Sequence, residues 1–165
     1  MIIEGPAFIL GDHVSADAIH PSRYLYDAYD AEGLARHAFE GIIDDFASRA
    51  RGVVIVAGVN FGCGSSREQA VMALKYAGVK AIIAKSFART FYRNAIAHAV
   101  PVLECPGAAS VVKQGDKVSI DLETGRISYP CGDLSAHGFP EEVRAIIEAG
   151  GLLPYAKRLL ADQTR

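Results

Sequence analysis

The sequence is short of the features that mark specialised classes of protein. It holds three cysteines, Cys63, Cys105 and Cys131, an odd number with no Cys-x-x-Cys pair. Neither a disulfide framework nor a local metal knot is therefore indicated. It has no block of like charge: 17 Lys and Arg stand against 19 Asp and Glu, a net charge of −2. The basic stripe of a nucleic-acid binder is missing, so that class is excluded from the leading readings. The longest apolar stretches, such as 53–58, are far too short to cross a bilayer. Met1-Ile2-Ile3-Glu4-Gly5 offers neither a basic segment nor a long apolar one, so no secretory signal is expected there. There is no internal repeat and no low-complexity tract. What is present is ample core material: of 165 residues, 50% are hydrophobic and 22% charged. This composition predicts one cytoplasmic α/β domain over 1–165, with no membrane or nucleic-acid partner.

Periodicity divides the chain. Residues 1–10 read as a first strand interrupted by a turn at Gly5-Pro6, and 11–30 crowd turn formers into a long, ordered, functional loop. From Ala31, the apolar positions Leu34, Ala38, Ile42 and Phe46 recur every fourth residue, which predicts a helix. Val53-Val54-Ile55-Val56-Ala57 has the β-branched continuity of a strand buried on both faces. A glycine-rich loop follows, then a helix through Ala77 closed by Gly78. Ala81-Ile82-Ile83-Ala84 repeats the buried-strand pattern, Ser86 is placed to cap a second helix running to His98, and a third strand starts near Val100. Strand–helix–strand–helix–strand predicts a mostly parallel central sheet with right-handed crossovers. Beyond it, 118–129 alternate around Thr124-Gly125 as a C-terminal β-hairpin. Helices are expected from Pro140 to Gly150-Gly151 and after Pro154.

The informative segment is Asn60-Phe61-Gly62-Cys63-Gly64-Ser65-Ser66-Arg67-Glu68, which joins a buried strand to a helix. Open α/β sheets bind ligands at such junctions. With Ser65 as N-cap, Glu68 would complete a capping box and Arg67 would lie one step inside the helix. Gly62 and Gly64 would let backbone approach a ligand, while first-turn amides and the guanidinium converge on a carboxylate or phosphate. The same residues also describe a glycine-rich turn with a good cap and nothing more. Known phosphate and nucleophile motifs fit worse: Arg67 replaces the third glycine of G-x-G-x-x-G, no Gly-Lys-Ser/Thr follows, and the spacing is not G-x-S-x-G.

This motif, followed by Ala84-Lys85-Ser86-Phe87-Ala88-Arg89 and Phe91-Tyr92-Arg93-Asn94-Ala95, resembles the small subunits of 3-isopropylmalate dehydratases. These are the separate-chain form of the aconitase swivelling domain. Gly11-Asp12-His13-Val14, Pro21-Ser22-Arg23-Tyr24-Leu25 and Ile147-Glu148-Ala149-Gly150-Gly151-Leu152 extend the resemblance over the whole chain. It implies a swivel-type β/β/α domain and a hydro-lyase that isomerises 2- and 3-isopropylmalate by dehydration and rehydration. It implies a [4Fe-4S] cluster on a separate large subunit and none bound by this chain. Ser65 would be the catalytic base, and Ser66 and Arg67 would hold a carboxylate of a hydroxy-dicarboxylate substrate. A serine normally needs a neighbouring base, and no His is close in sequence. A helix N-terminus, amide donors and Arg67 would instead stabilise the alkoxide.

Asp17 matches a family aspartate near the active site, although Ser15-Ala16-Asp17-Ala18 stands where relatives carry Asp-x-Asp-Gln. Leu25 and Tyr26 fall where substrate choice is expected. Tricarboxylate relatives place arginine after the Tyr-Leu pair, whereas Tyr26-Asp27 follows here and favours a neutral branched substituent. Another alkyl-malate such as citramalate or dimethylmalate, homoaconitate, or a non-catalytic anion-binding module are the alternatives. Cys63 lacks a partner base, Cys105 and Cys131 read as packing or loop residues, and Arg89 and Arg93 read as surface residues. His37 and His98 read as surface or satisfied core groups, and His13 and His20 show no metal-ligand spacing.

Overall fold

The computed structural model describes residues 1–26, 30–65 and 67–163. One sheet of seven strands organises them in the order β4-β3-β2-β1-β5-β6-β7. β1 (Ile2–Ile9), β2 (Val54–Ala57), β3 (Ala81–Ala84) and β4 (Val102–Glu104) are parallel, as the alternation of apolar runs and helices requires. β5 (Lys117–Asp121), β6 (Arg126–Tyr129) and β7 (Gly132–Ser135) complete the sheet antiparallel to one another. The expected hairpin is thus a three-stranded meander whose last strand, with only Leu134 apolar, carries no hydrophobic pattern to announce it.

β1 runs unbroken through Gly5-Pro6, correcting the turn expected there. Ile2 to Pro6 pair with β5 and Ala7 to Ile9 with β2, so the missing proline N–H falls where one ladder hands over to the other.

The helices are α1 (Ala16–Ile19), α2 (Ala31–Arg36), α3 (Phe46–Arg49), α4 (Glu68–Tyr76), α5 (Arg89–Ala97), α6 (Ala108–Val111), α7 (Glu141–Glu148) and α8 (Leu152–Gln163). Segment 11–30 is therefore not all loop: it holds α1 and a 3₁₀ turn at Ser22–Tyr24. Ser15 caps α1 by accepting the Ala18 N–H at 3.0 Å. The continuous helix expected from Ala31 to Phe46 is broken, because Phe39 and Asp45 take left-handed backbone (φ 54°) and Gly41 does too (φ 78°). Ser86 does not cap α5, whose N-cap is Ala88; its Oγ accepts the Asn60 N–H at 2.9 Å instead. α8 begins two residues before Pro154, which occupies the first turn where its missing N–H is harmless.

Alternation along β2 and β3 supplies two cores. Ile55, Ala57, Ile82 and Ala84 face α4 and α5 with Val71, Leu74, Phe61 and Phe91. Val54, Val56, Ala81 and Ile83 face the other side with Leu103, Ala108, Ile120 and Ile147. Each fully buried Val or Ile contributes about 1.5–3 kcal/mol, so these strands form a rigid base for the loops above them.

Candidate active site

The loops at the carboxyl ends of β1, β2 and β3 are stitched into one layer. The loop after β2 is the seam. Val59 N–H donates to Asp12 Oδ1 at 2.9 Å, Gly62 N–H to the Val14 carbonyl at 2.7 Å, and Ala16 N–H to the Cys63 carbonyl at 2.8 Å. On its other side, Phe61 N–H donates to the Ser86 carbonyl at 3.0 Å, and Ala88 N–H to that of Phe61 at 2.9 Å. Gly62 is obligatory: it has φ +76°, and a Cβ would stand 2.1 Å from Cγ of Phe91.

This layer presents Gly64 (φ +84°) and Ser65, both exposed, just ahead of α4. The expected capping box is not formed. α4 starts at Glu68 with Arg67 as N-cap in extended backbone, and the Arg67 side chain makes no capping hydrogen bond. Arg67 therefore sits at the helix mouth rather than inside, and Glu68 pairs with His98 at 3.2 Å. The first-turn amides carry the partial positive charge of a helix N-terminus.

Arg67 is drawn back against α1. Its Nη2 donates to Asp17 Oδ1 in an ion pair, and the side chain is only 16% exposed. Nη1 is buried with no hydrogen-bond partner among the described residues. Sequence reading named Asp17 and Arg67 separately but missed that they form a pair. It also missed Asp12 as the anchor of the loop after β2. Leu25 ends the 3₁₀ turn half-buried, and Tyr26 projects outward at 88% exposure. Ser66 and Asp27 lie outside the described residues. Cys63 is half-buried and donates weakly to the His13 carbonyl (3.5 Å), Cys105 is buried and Cys131 exposed. Arg89 and Arg93 are exposed on α5.

One titrating group stands out beside the motif. His20 is 1% exposed, and burial first, then the charges of His37 and Arg67, push its pKa below the usual 6.5. Among the described residues no three His, Cys, Asp or Glu side chains converge to hold a metal, and no helix is long and apolar enough to cross a membrane.

A four-stranded parallel layer extended by an antiparallel meander, with the Gly-Ser-Ser-Arg motif following β2, defines a domain of the aconitase C-terminal class. Residues 15–107 match the family model of the aconitase C-terminal domain. The chain is 46% identical over 160 residues to the 3-isopropylmalate dehydratase small subunit of Saccharolobus islandicus, covering 96% of each. It is 45% identical over 164 residues to the isopropylmalate/citramalate isomerase small subunit of Methanocaldococcus jannaschii (98% of this chain, 97% of that one). A solved 3-isopropylmalate dehydratase structure from the latter organism superimposes with a TM-score of 0.90 at 45% identity, over 99% of this chain and 98% of that one. Aconitase X of Thermococcus kodakaraensis, 20% identical with a TM-score of 0.53 over 82% of this chain and 90% of that one, shares the fold alone. The chain belongs to the 3-isopropylmalate dehydratase small-subunit family.

Proposed function

We propose that this chain is the small subunit of a cytoplasmic hydro-lyase of leucine biosynthesis that interconverts 2- and 3-isopropylmalate. It works only when joined to a large subunit. The observation that carries the reading is the juxtaposition of an exposed Ser65 with Arg67, itself tied to Asp17, at the head of α4.

Ser65 Oγ takes the proton from the carbon beside a substrate carboxylate, and hydroxide leaves the neighbouring carbon. Rehydration reverses these steps with the hydroxyl delivered to the other carbon. The α4 amides and the Arg67 charge lower the cost of the serine alkoxide. Arg67 and Ser66 hold the carboxylate, Gly64 leaves room for it, and Asp17 fixes the direction of the guanidinium. Lewis-acid help to the departing hydroxyl is the chemistry a [4Fe-4S] cluster supplies. The dispersed thiols of this chain do not fit such a group, which we assign to the large subunit.

Leu25 and exposed Tyr26 favour a branched apolar substituent over a further carboxylate. The Methanocaldococcus jannaschii relative, whose name includes citramalate, supports a second reading in which a smaller alkyl-malate is also accepted. The mechanism is tested with Ser65→Ala in the complex reconstituted anaerobically with the large subunit. Turnover should fall by about 10²–10⁴. The melt should not move, because Ser65 is exposed and caps no helix. Near-normal turnover would remove Ser65 from the chemistry.

A further inference from the structure

The last helix, α8, leaves its apolar side largely uncovered. Leu152, Leu153, Leu159 and Leu160 are each 46–67% exposed, and they are four of the ten exposed large apolar side chains among the described residues. The other six are spread along the chain from Met1 to Val111, as single surface apolar residues ordinarily are. A contiguous stripe on one helix is different, because such patches mark interaction surfaces. α8 lies against α7 and α5, yet only Tyr155 and Ala156 of its described side chains are half-buried.

The spacing of the stripe identifies its occupant. Leu152 and Leu153 stand four and three residues before Ala156, and Leu159 and Leu160 stand three and four after it. At 3.6 residues per turn these five residues share an arc of about 120°. The pattern reads the same in both directions, so it is complementary to itself. A second α8 laid antiparallel across the first, with a two-fold axis at Ala156, sets Leu152 and Leu153 of each copy against Leu159 and Leu160 of the other. The small alanine at the crossing lets the backbones approach, and the antiparallel sense opposes the two helix dipoles favourably. Lys157 and Arg158 are exposed and fall outside the arc, so the pairing buries no charge.

We propose that this chain pairs with a second copy of itself through an antiparallel, two-fold contact of α8 centred on Ala156. Four partly covered leucines from each copy fall well short of the ~800 Å² per partner of a standard interface, so the dimer is reversible and of micromolar strength. α8 holds none of the candidate site residues, and the inference stands independently of the dehydratase reading.

Sedimentation equilibrium of the full-length chain should show monomer and dimer exchanging in the micromolar range. Leu153→Glu with Leu160→Glu should weaken the dimer about 100-fold or more, because each change occurs twice in a two-fold interface. The melt of dilute, monomeric protein should stay in place, since both side chains are exposed. Disulfide trapping reads the geometry directly, and decides the matter if the double variant fails to fold. In a Cys131→Ser chain, whose remaining cysteines are half-buried or buried, Ala156→Cys should oxidise to a covalent dimer. Arg158→Cys, on the opposite face of α8, should not. A chain that stays monomeric at millimolar concentration would overturn the proposal. So would a dimer indifferent to the double substitution, or equal cross-linking of the Ala156→Cys and Arg158→Cys variants.

Discussion

Arg67 occupies the N-cap of α4, where a cation opposes the helix dipole, and it gives up most of its hydration to do so. Asp17 offsets part of that cost. A residue kept there against its local electrostatics is one whose fork is wanted at that point. Arg67→Lys should therefore raise KM at least tenfold in the assembled enzyme, because an ammonium offers a point charge where the fork offers aligned donors. A kinetically silent Lys variant would make Arg67 scaffold. His20 adds a pH signature. Its folded pKa lies below the unfolded value of 6.5, so the unfolded chain binds the extra proton. The stability contributed by the neutral ring is full above about 6.5 and declines as pH falls below it. As pH falls below that value the wild type should lose stability relative to His20→Leu, whose side chain takes up no proton. Parallel melts across that range would contradict the assignment. The motif itself was legible in the sequence, but its place on α4 was not: Arg67 is the N-cap rather than the first helical residue. Nor was the Asp17–Arg67 pair, because a separation of 50 residues leaves no trace in local spacing.

At the scale of elements, legibility followed the strength of the pattern. β2, β3 and α4 carry continuous or periodic apolar residues, and the structure has them within one residue at most ends. The segment from Ala31 misled because Leu34, Ala38, Ile42 and Phe46 keep a helical spacing across left-handed residues at Phe39, Gly41 and Asp45. Phe39 and Asp45 are not glycines, so composition gives no warning of them. Ile42, on that supposed inner face, is 60% exposed. α1 was readable in principle: Ser15 followed by Asp17 in the first turn is a helix-start signal, lost among other turn formers. The element most dependent on one residue is the loop after β2. Gly62→Ala adds a methyl inside the Phe91 ring and a left-handed alanine. It should destabilise the chain by about 2–4 kcal/mol, combining strain and overpacking. A melt within a degree of the wild type would show that the loop relaxes freely and does not hold the motif.

For the whole molecule, a surface groove of about 740 Å³ runs between α2, the 37–45 turns and α3 and is lined by none of the candidate residues. Ser65 sits on an exposed rim instead. On the proposed reading this exposed rim is half a site, and the large subunit supplies the other half. The purified chain should accordingly fold, bind no stoichiometric iron and dehydrate nothing. Dehydratase activity in the chain alone would end the two-subunit account. The most direct measurement is anaerobic reconstitution of this chain with the cluster-bearing large subunit, followed by turnover on 2-isopropylmalate, citramalate, 2,3-dimethylmalate and homoaconitate. The account predicts activity in the complex and in neither subunit alone, with isopropylmalate the best substrate and homoaconitate the poorest. A complex that assembles with its cluster intact and leaves isopropylmalate unchanged would contradict it.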